Sequence, residues 1–353
     1  PSQSSGFDPQ KPVSNLHQVM SQPDHFLGFN ENTVLLAVLP FFHIYGVVMF
    51  LMAAPFCSTT TVSMPKFEPE KYIENVKKYK VTIAHVAPPI VQFLLKHPMV
   101  AKAMPFDDLK EVFCAAAPLA PEPAEELKAK LNLDVVRQGF GMTELSPVGA
   151  CGDKQNAKTG SVGLLLPNQE LKLIGDDGKA ISKRNERGEM WIRGPNVMQG
   201  YYKNKEATDG CIDPEGFLHT GDVAYLDDDD QLWIVDRTKE LIKVKGFQVA
   251  PAELEGHLLA HPKIADAAVI GVAAGFDYGG REGDGQLPKA FVVKKDDSLT
   301  EDEVKEYIKK DFVDYKRLAA VEFIDAVPKS ASGKILRKDL RKKEEDAGKK
   351  VFA

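Results

Sequence analysis

Gln138-Gly139-Phe140-Gly141-Met142-Thr143-Glu144 follows directly on Asp134 to Gln138, a run that reads as a strand. Two glycines around an aromatic let backbone approach a planar ligand while the ring stacks on it. Thr143 offers a hydroxyl to a phosphate oxygen, and Glu144 offers a hard oxygen ligand to a magnesium ion. A Gly-aromatic-Gly turn in isolation is more often only a tight turn. Its meaning depends on what surrounds it.

Upstream, strand and helix alternate at short spacing. Val34–Leu39, Val81–Val86 and Leu109–Ala115 read as strands. Pro69–Tyr79, with Tyr72, Ile73, Val76 and Tyr79 on one face, reads as a helix, as do the segment from Pro88-Pro89 to His97 and Glu122–Leu131. That alternation predicts an α/β layer with a largely parallel sheet over residues 1–150. Residues 1–12, rich in Pro, Ser and Gln, read as a disordered lead-in.

Downstream the pattern changes. Leu171–Ile174, Gly188–Arg193, Val223–Leu226 and Leu232–Val235 are short strands separated by turns, which predicts an antiparallel sheet or small barrel over 151–236. Asp227–Asp230 reads as a solvated hairpin tip. Over 237–353 a compact α+β module is expected. It has a helix from Pro251 to Leu259, strands at Ala267–Val272, Ala290–Lys294 and Val321–Ile324, and a Thr300/Glu303 capping box opening a helix to Phe312. Gly275–Gly285 reads as a mobile surface insertion, and Arg337–Lys350, mixed in charge, as a solvated helix face or tail.

The chain has 353 residues, enough for more than one domain, with 43% apolar and 27% charged residues and a net charge of -6. That balance suits an ordinary globular protein and gives no footprint for nucleic acid. Cys57, Cys114, Cys151 and Cys211 are too scattered for a metal site or a disulfide framework. The longest apolar run, Ile44 to Phe56, is too short to span a bilayer, and core packing is the reading for Ile44, Val47, Met49 and Phe50. With no signal segment and no C-terminal Ser-Lys-Leu, a cytoplasmic protein is expected. The opening on Pro suggests that something upstream is absent.

Two further motifs carry chemistry. In His219-Thr220-Gly221-Asp222 the aspartate suits the paired hydroxyls of a ribose, and Arg237, fifteen residues on, suits a ribose or phosphate. A surface ion pair is the plainer reading of both. Pro328-Lys329-Ser330-Ala331-Ser332-Gly333-Lys334-Ile335 fails the phosphate-loop pattern. A flexible loop with one lysine still suits delivery of a point charge to an anionic centre.

In this order the three motifs resemble the adenylate-forming (AMP-binding) superfamily, and most of all the plant-type 4-coumarate–CoA ligases. Pro40-Phe41-Phe42-His43-Ile44-Tyr45, Ala115-Ala116-Ala117-Pro118-Leu119 and the long match from Asp236 to Glu255 agree with it. The resemblance spans about Val13 to Asp346. It implies an N-terminal α/β domain with a β-barrel-like subdomain and a small mobile α+β C-terminal domain. The implied reaction is ATP-dependent activation of a carboxylic acid, aryl or fatty, to an acyl-adenylate, followed by thioester formation with coenzyme A.

Carried over, Ala116, Ala117, Gln138, Gly139, Phe140, Gly141, Met142 and Thr143 would line adenine and α-phosphate, with Phe140 stacked on the base. Asp222 and Arg237 would hold the ribose, and Glu144 the magnesium. Lys334 would bridge the attacking carboxylate and the α-phosphate. Lys239 falls at the family's hinge. Rotation there would bring in Lys243 and Gln248 toward the adenylate, and Lys245 and Gly246 toward coenzyme A. His43 and Tyr45 would flank the acyl tunnel with Ala115, Gly141, Pro147 and Val148. Ala115 replaces the usual glycine of this family and should narrow the pocket floor.

The family's phosphate-gripping loop should lie just upstream of Val13, and Ser4-Ser5-Gly6-Phe7-Asp8-Pro9 does not reproduce it. Poor grip on the β- and γ-phosphates and an exposed sheet edge are therefore expected. Two other readings stand beside ligase chemistry: a truncated, non-catalytic nucleotide-binding or interaction protein, and a luciferase-like oxygenase.

Overall fold

The computed structural model describes residues 27–275, 278–279, 285–330, 333–349 and 351. The 1–12 lead-in, the segment compared with the phosphate loop, most of the Gly275–Gly285 insertion and Ala331-Ser332 lie outside them. The chain divides into two compact units, Pro1–Thr220 with Ala224–Ile234, and Gly221–Val223 with Val235–Ala353.

The first unit is built on a seven-stranded sheet. Its strands are β1 (Val34–Ala37), β2 (Thr60–Ser63), β3 (Ile83–Val86), β4 (Glu111–Cys114), β5 (Val135–Gly141), β6 (Val148–Cys151) and β7 (Leu164–Leu165), in the order β2-β1-β3-β4-β5-β6-β7. Pairing is parallel from β2 to β5 and antiparallel from β5 to β7. Side chains alternate across a strand, so β1 sends Leu36 to one core and Leu35 and Ala37 to the other.

Helices Pro69–Lys78, Pro88–Lys96 and Pro121–Leu131 cover the first face, and each starts on a proline whose missing N–H costs nothing there. Tyr72, Ile73 and Val76 are buried as their spacing predicts, whereas Tyr79 lies past the helix end and is exposed. The opposite face is covered by a helical segment, Ile44 to Phe56, with a π-helical middle at Val47–Ala53. Met49 and Phe50 are buried in it.

A second sheet takes the order β11-β10-β9-β8, from β8 (Glu170–Ile174), β9 (Gly188–Arg193), β10 (Leu218–Leu226) and β11 (Leu232–Arg237). At the Asp227–Asp230 tip, Lys158 Nζ lies 2.7 Å from Asp227 Oδ2, which also accepts from Trp233 Nε1.

In the second unit, β12 (Ile242–Val244) and β13 (Phe247–Val249) form a hairpin, while β14 (Ile264–Ala273), β15 (Gln286–Lys294) and β16 (Ala320–Phe323) form a sheet. Helices Pro251–Ala260 and Glu301–Asp311 pack on it, the second capped by Thr300 Oγ1 accepting from Glu303 N–H. The Lys-rich C-terminal run corrects the expectation of a solvated face. Helix Arg337–Asp346 buries Leu340 and Glu344, four residues apart on one face. The buried Glu344 is matched by a buried cation, Lys289 Nζ, 2.6 Å from its Oε1. Among the described residues, no helix is long and apolar enough to cross a membrane.

Candidate functional site

Cys114 at the end of β4 is the register partner of Gln138 in β5, so the loop that leaves β4 emerges beside the last residues of β5. Ligands of open α/β sheets sit in the crevice outside such carboxyl ends. Ala116 follows β4 with φ +77°, a left-handed conformation that costs an alanine about 1–2 kcal/mol and marks a constrained turn. Gln138 holds that turn. Its Oε1 accepts from Leu119 N–H at 2.8 Å, and its Nε2 donates to the Leu119 carbonyl at 2.9 Å. Both ends of the buried amide are engaged, so its side chain shapes the Ala115–Leu119 loop.

The two glycines have a packing role as well. They lie within β5 rather than in a loop beyond it. A Cβ on Gly139 would meet the Phe113 ring at 2.8 Å, and one on Gly141 the Pro147 carbonyl at 2.5 Å. Protein atoms fill both spaces. Phe140, half-buried, packs against the core that includes Leu145 and Ile192. Met142 N–H donates to the Pro147 carbonyl at 2.8 Å and closes the turn through Thr143. Asn196, unanticipated from sequence, is buried and donates from Nδ2 to the carbonyls of Leu145 and Val148.

Glu144 Oε1 accepts from the Tyr201 hydroxyl at 2.7 Å. This bond, more than burial, pushes the Tyr201 pKa up to about 12. Tyr201 was not foreseen either. It engages one Glu144 oxygen and leaves the other as a hard donor, which fits a magnesium ion.

Tyr45, Ala115 and Val148 share one apolar cluster with Phe113, and Gly141 pairs with Val148 beside Pro147. Within that group Tyr45 is buried, with its hydroxyl 2.9 Å from His85 Nδ1. His43 Nδ1 accepts from Tyr45 N–H at 3.2 Å and caps the following helix. His85 lies among Phe29, Tyr45, Phe50 and Phe113, and burial, followed by the Arg137 charge, lowers its pKa to about 3.

In the second unit, Arg237 Nε lies 3.5 Å from Asp222 Oδ1, the aspartate being buried. The Lys334 ammonium feels this pair. Burial and then Arg237 lower its pKa, while Asp222 and Glu240 act in the opposite sense. The loop expected to be flexible includes Ala331-Ser332, which lie outside the described residues, and the residues on either side of them are bonded to one another. Ser330 N–H donates to the Lys334 carbonyl at 2.8 Å, Leu336 N–H to the Pro328 carbonyl at 2.9 Å, and Lys329 bridges Ile335.

Lys239 is exposed in the turn between β11 and β12. Just before it, buried Asp236 accepts from Ala252 N–H at 3.0 Å, capping the Pro251–Ala260 helix. Lys243 and Gln248 are cross-strand partners on one exposed face of the β12–β13 hairpin. Lys245 and Gly246 form its two-residue turn, with φ +49° and +86°, the signs a type I′ turn needs.

Comparison with known proteins gives these groupings a setting. The AMP-binding enzyme family matches residues 10–202, and the AMP-binding enzyme C-terminal domain matches 253–334. A probable 4-coumarate–CoA ligase 1 of Dictyostelium discoideum is 44% identical over 93% of this chain and 58% of its own length. The 4-coumarate–CoA ligase 1 of Narcissus pseudonarcissus is 44% identical over 93% of this chain and 60% of its own. This chain thus spans roughly three-fifths of those relatives. ATP-bound MatB from Rhodopseudomonas palustris superposes with a TM-score of 0.83 at 26% identity, over 96% of this chain and 64% of MatB. The Bacillus subtilis o-succinylbenzoate–CoA synthetase, in complex with ATP and magnesium, gives 0.77 at 28% identity, over 93% of this chain and 66% of its own. The adenylate-forming fold expected from the motifs is the one observed, and the chain belongs to the AMP-binding enzyme family.

Proposed function

We propose that this chain carries the chemistry of an AMP-forming acid–thiol ligase, which activates a carboxylic acid with ATP and passes the acyl group to coenzyme A. The observation that carries the reading is the convergence of Asp222, Arg237 and Lys334, three groups far apart in sequence that suit one nucleotide. Identity of 44% to 4-coumarate–CoA ligases across nearly the whole chain supports the same chemistry.

In this reading Asp222 accepts from the ribose hydroxyls and Arg237 pairs with ribose or phosphate. Lys334 lies against the bond-forming oxygens, where charge accumulates as the carboxylate attacks the α-phosphate and pyrophosphate leaves. Its lowered pKa gives a limit on pH. Lys334 acts as a cation, so adenylation fades as pH rises through a value below that of an ordinary lysine. Glu144 would hold magnesium, which neutralises phosphate charge when bound. The Ala115–Leu119 loop and Gly141–Val148 wall the base and acyl sides. Lys243 and Gln248, side by side on their hairpin, serve the adenylate in the thioester step after rotation at Lys239. Lys245 and Gly246 face coenzyme A.

The acid is aryl or fatty. Ala115, with one methyl more than glycine, favours a narrower or shallower one. ATP–pyrophosphate exchange across a panel of hydroxycinnamic, benzoic and fatty acids tests the reading. Acid-dependent exchange, and a thioester once coenzyme A is added, are expected; no exchange with any acid contradicts it.

A further inference from the structure

The segment that carries Lys334 is tied down on both sides by groups outside the Asp222–Arg237 cluster. Before it, Lys329 Nζ lies 2.6 Å from Asp266 Oδ2, a half-exposed pair. After it, Arg337 opens the C-terminal helix three residues beyond Lys334 and reaches into the core. Its Nη2 donates to Glu255 Oε2 at 2.6 Å, and its Nε donates to the Val269 carbonyl at 3.2 Å. Glu255 Oε1 completes the ring by accepting from Val269 N–H at 2.8 Å.

One residue of β14 is therefore gripped at both its N–H and its C=O by an ion pair whose members are 82 residues apart. Glu255 is buried and Arg337 nearly so. Two charges in so small a core are a poor way to gain stability, since apolar residues of similar volume often do as well or better. What the charges add is direction. Arginine's planar fork fixes angle as well as distance, which an apolar contact does not.

We infer that Glu255 and Arg337 are positioning residues for Lys334. The buried pair fixes the chain three residues from the lysine, so it governs where the ammonium points during acyl-adenylate formation. It has no such part in transfer to coenzyme A. This rests on the reading of Lys334 as the adenylating lysine.

Glu255→Gln keeps the acceptor for Val269 N–H and removes the charge that holds Arg337. In the intact protein it should slow acyl-adenylate formation about 10- to 100-fold, the scale of a misplacement near 1 Å, with the KM for ATP within about twofold. Thioester formation from supplied acyl-adenylate should stay within about twofold, and Arg337→Lys should fall between parent and Glu255→Gln. Hydrogen exchange needs no turnover. In Glu255→Gln the amides of Ser330, Gly333, Lys334 and Leu336 should exchange at least about tenfold faster, while those of β15 do not change. An equal fall in both half-reactions, or exchange at these amides that does not change, overturns the inference. Lys334→Ala run alongside keeps the two ideas apart. If it leaves adenylation intact, the lysine's role fails, and the exchange data still decide whether the pair holds the segment around Lys334.

Discussion

At the end of β5, position is fixed by neutral groups and by shape. The Gln138 amide grips Leu119 at both ends, Asn196 bonds the Leu145 and Val148 carbonyls, and Phe113 and Pro147 fill the space where Gly139 and Gly141 lack a Cβ. Around Lys334, position is fixed by charge, through Lys329–Asp266, Arg337–Glu255 and, further along the helix, Lys289–Glu344. The first segment continues a sheet strand and inherits its neighbours. The second is a loop segment and one helix on a small module, held by Leu340 and Ile335 packed in an apolar cluster with β14 and β15 as well as by charge. Long-range ion pairs supply the direction that a sheet supplies to β5.

That difference can be broken from either side. The largest effect should come from Glu344→Ala, which removes the buried partner of Lys289 and leaves it with half-exposed Glu322. A loss of about 3 kcal/mol is expected from denaturant unfolding of the second unit, since stranding a buried charge costs roughly 3–5 kcal/mol. If the helix were held mainly by Leu340, the loss would be under about 1 kcal/mol.

Gln138→Leu is the counterpart in the first unit. It leaves the Leu119 N–H and C=O without their side-chain partners, at a cost of about 2 kcal/mol. It should also loosen the Ala115–Leu119 loop, visible as faster exchange at the Leu119 amide. A stability loss with that amide still protected would show that the loop holds itself.

The most gradual effect, spread over pH units, is one of pH. His85 titrates near 3 when folded and near 6.5 when unfolded, so below pH 6.5 the unfolded chain binds a proton that the folded chain refuses. Stability then falls by about 1.4 kcal/mol per pH unit from this group alone between roughly pH 6 and 4. His85→Gln, though less stable at pH 7, should show an acid limb shallower by about one proton. An unchanged limb would place the acid sensitivity in other groups.

Much of this architecture is legible in the chain because its signals are local. Prolines at helix starts, the Thr300 box and the two-fold alternation of Gly188–Arg193 each fix their own neighbourhood. What the sequence withholds is reciprocal. Arg337 meets Glu255 across 82 residues, and Glu144 meets Tyr201 across 57, separations at which no periodicity operates. Gly139 and Gly141 advertise open space, but not whether ligand or protein fills it. Glu344 looked solvated among lysines, although its place one turn after Leu340 put it on the buried face.

The central claim is that Lys334 and Lys243 divide the chemistry between two half-reactions. The direct measurement is single-turnover kinetics of each half-reaction in Lys334→Ala and Lys243→Ala. The account predicts that Lys334→Ala slows acyl-adenylate formation by about 10²–10³, the scale of removing one transition-state donor, and leaves thioester formation from supplied acyl-adenylate within about twofold. Lys243→Ala should show the reverse. Equal losses in both steps, or normal adenylation without Lys334, would contradict it.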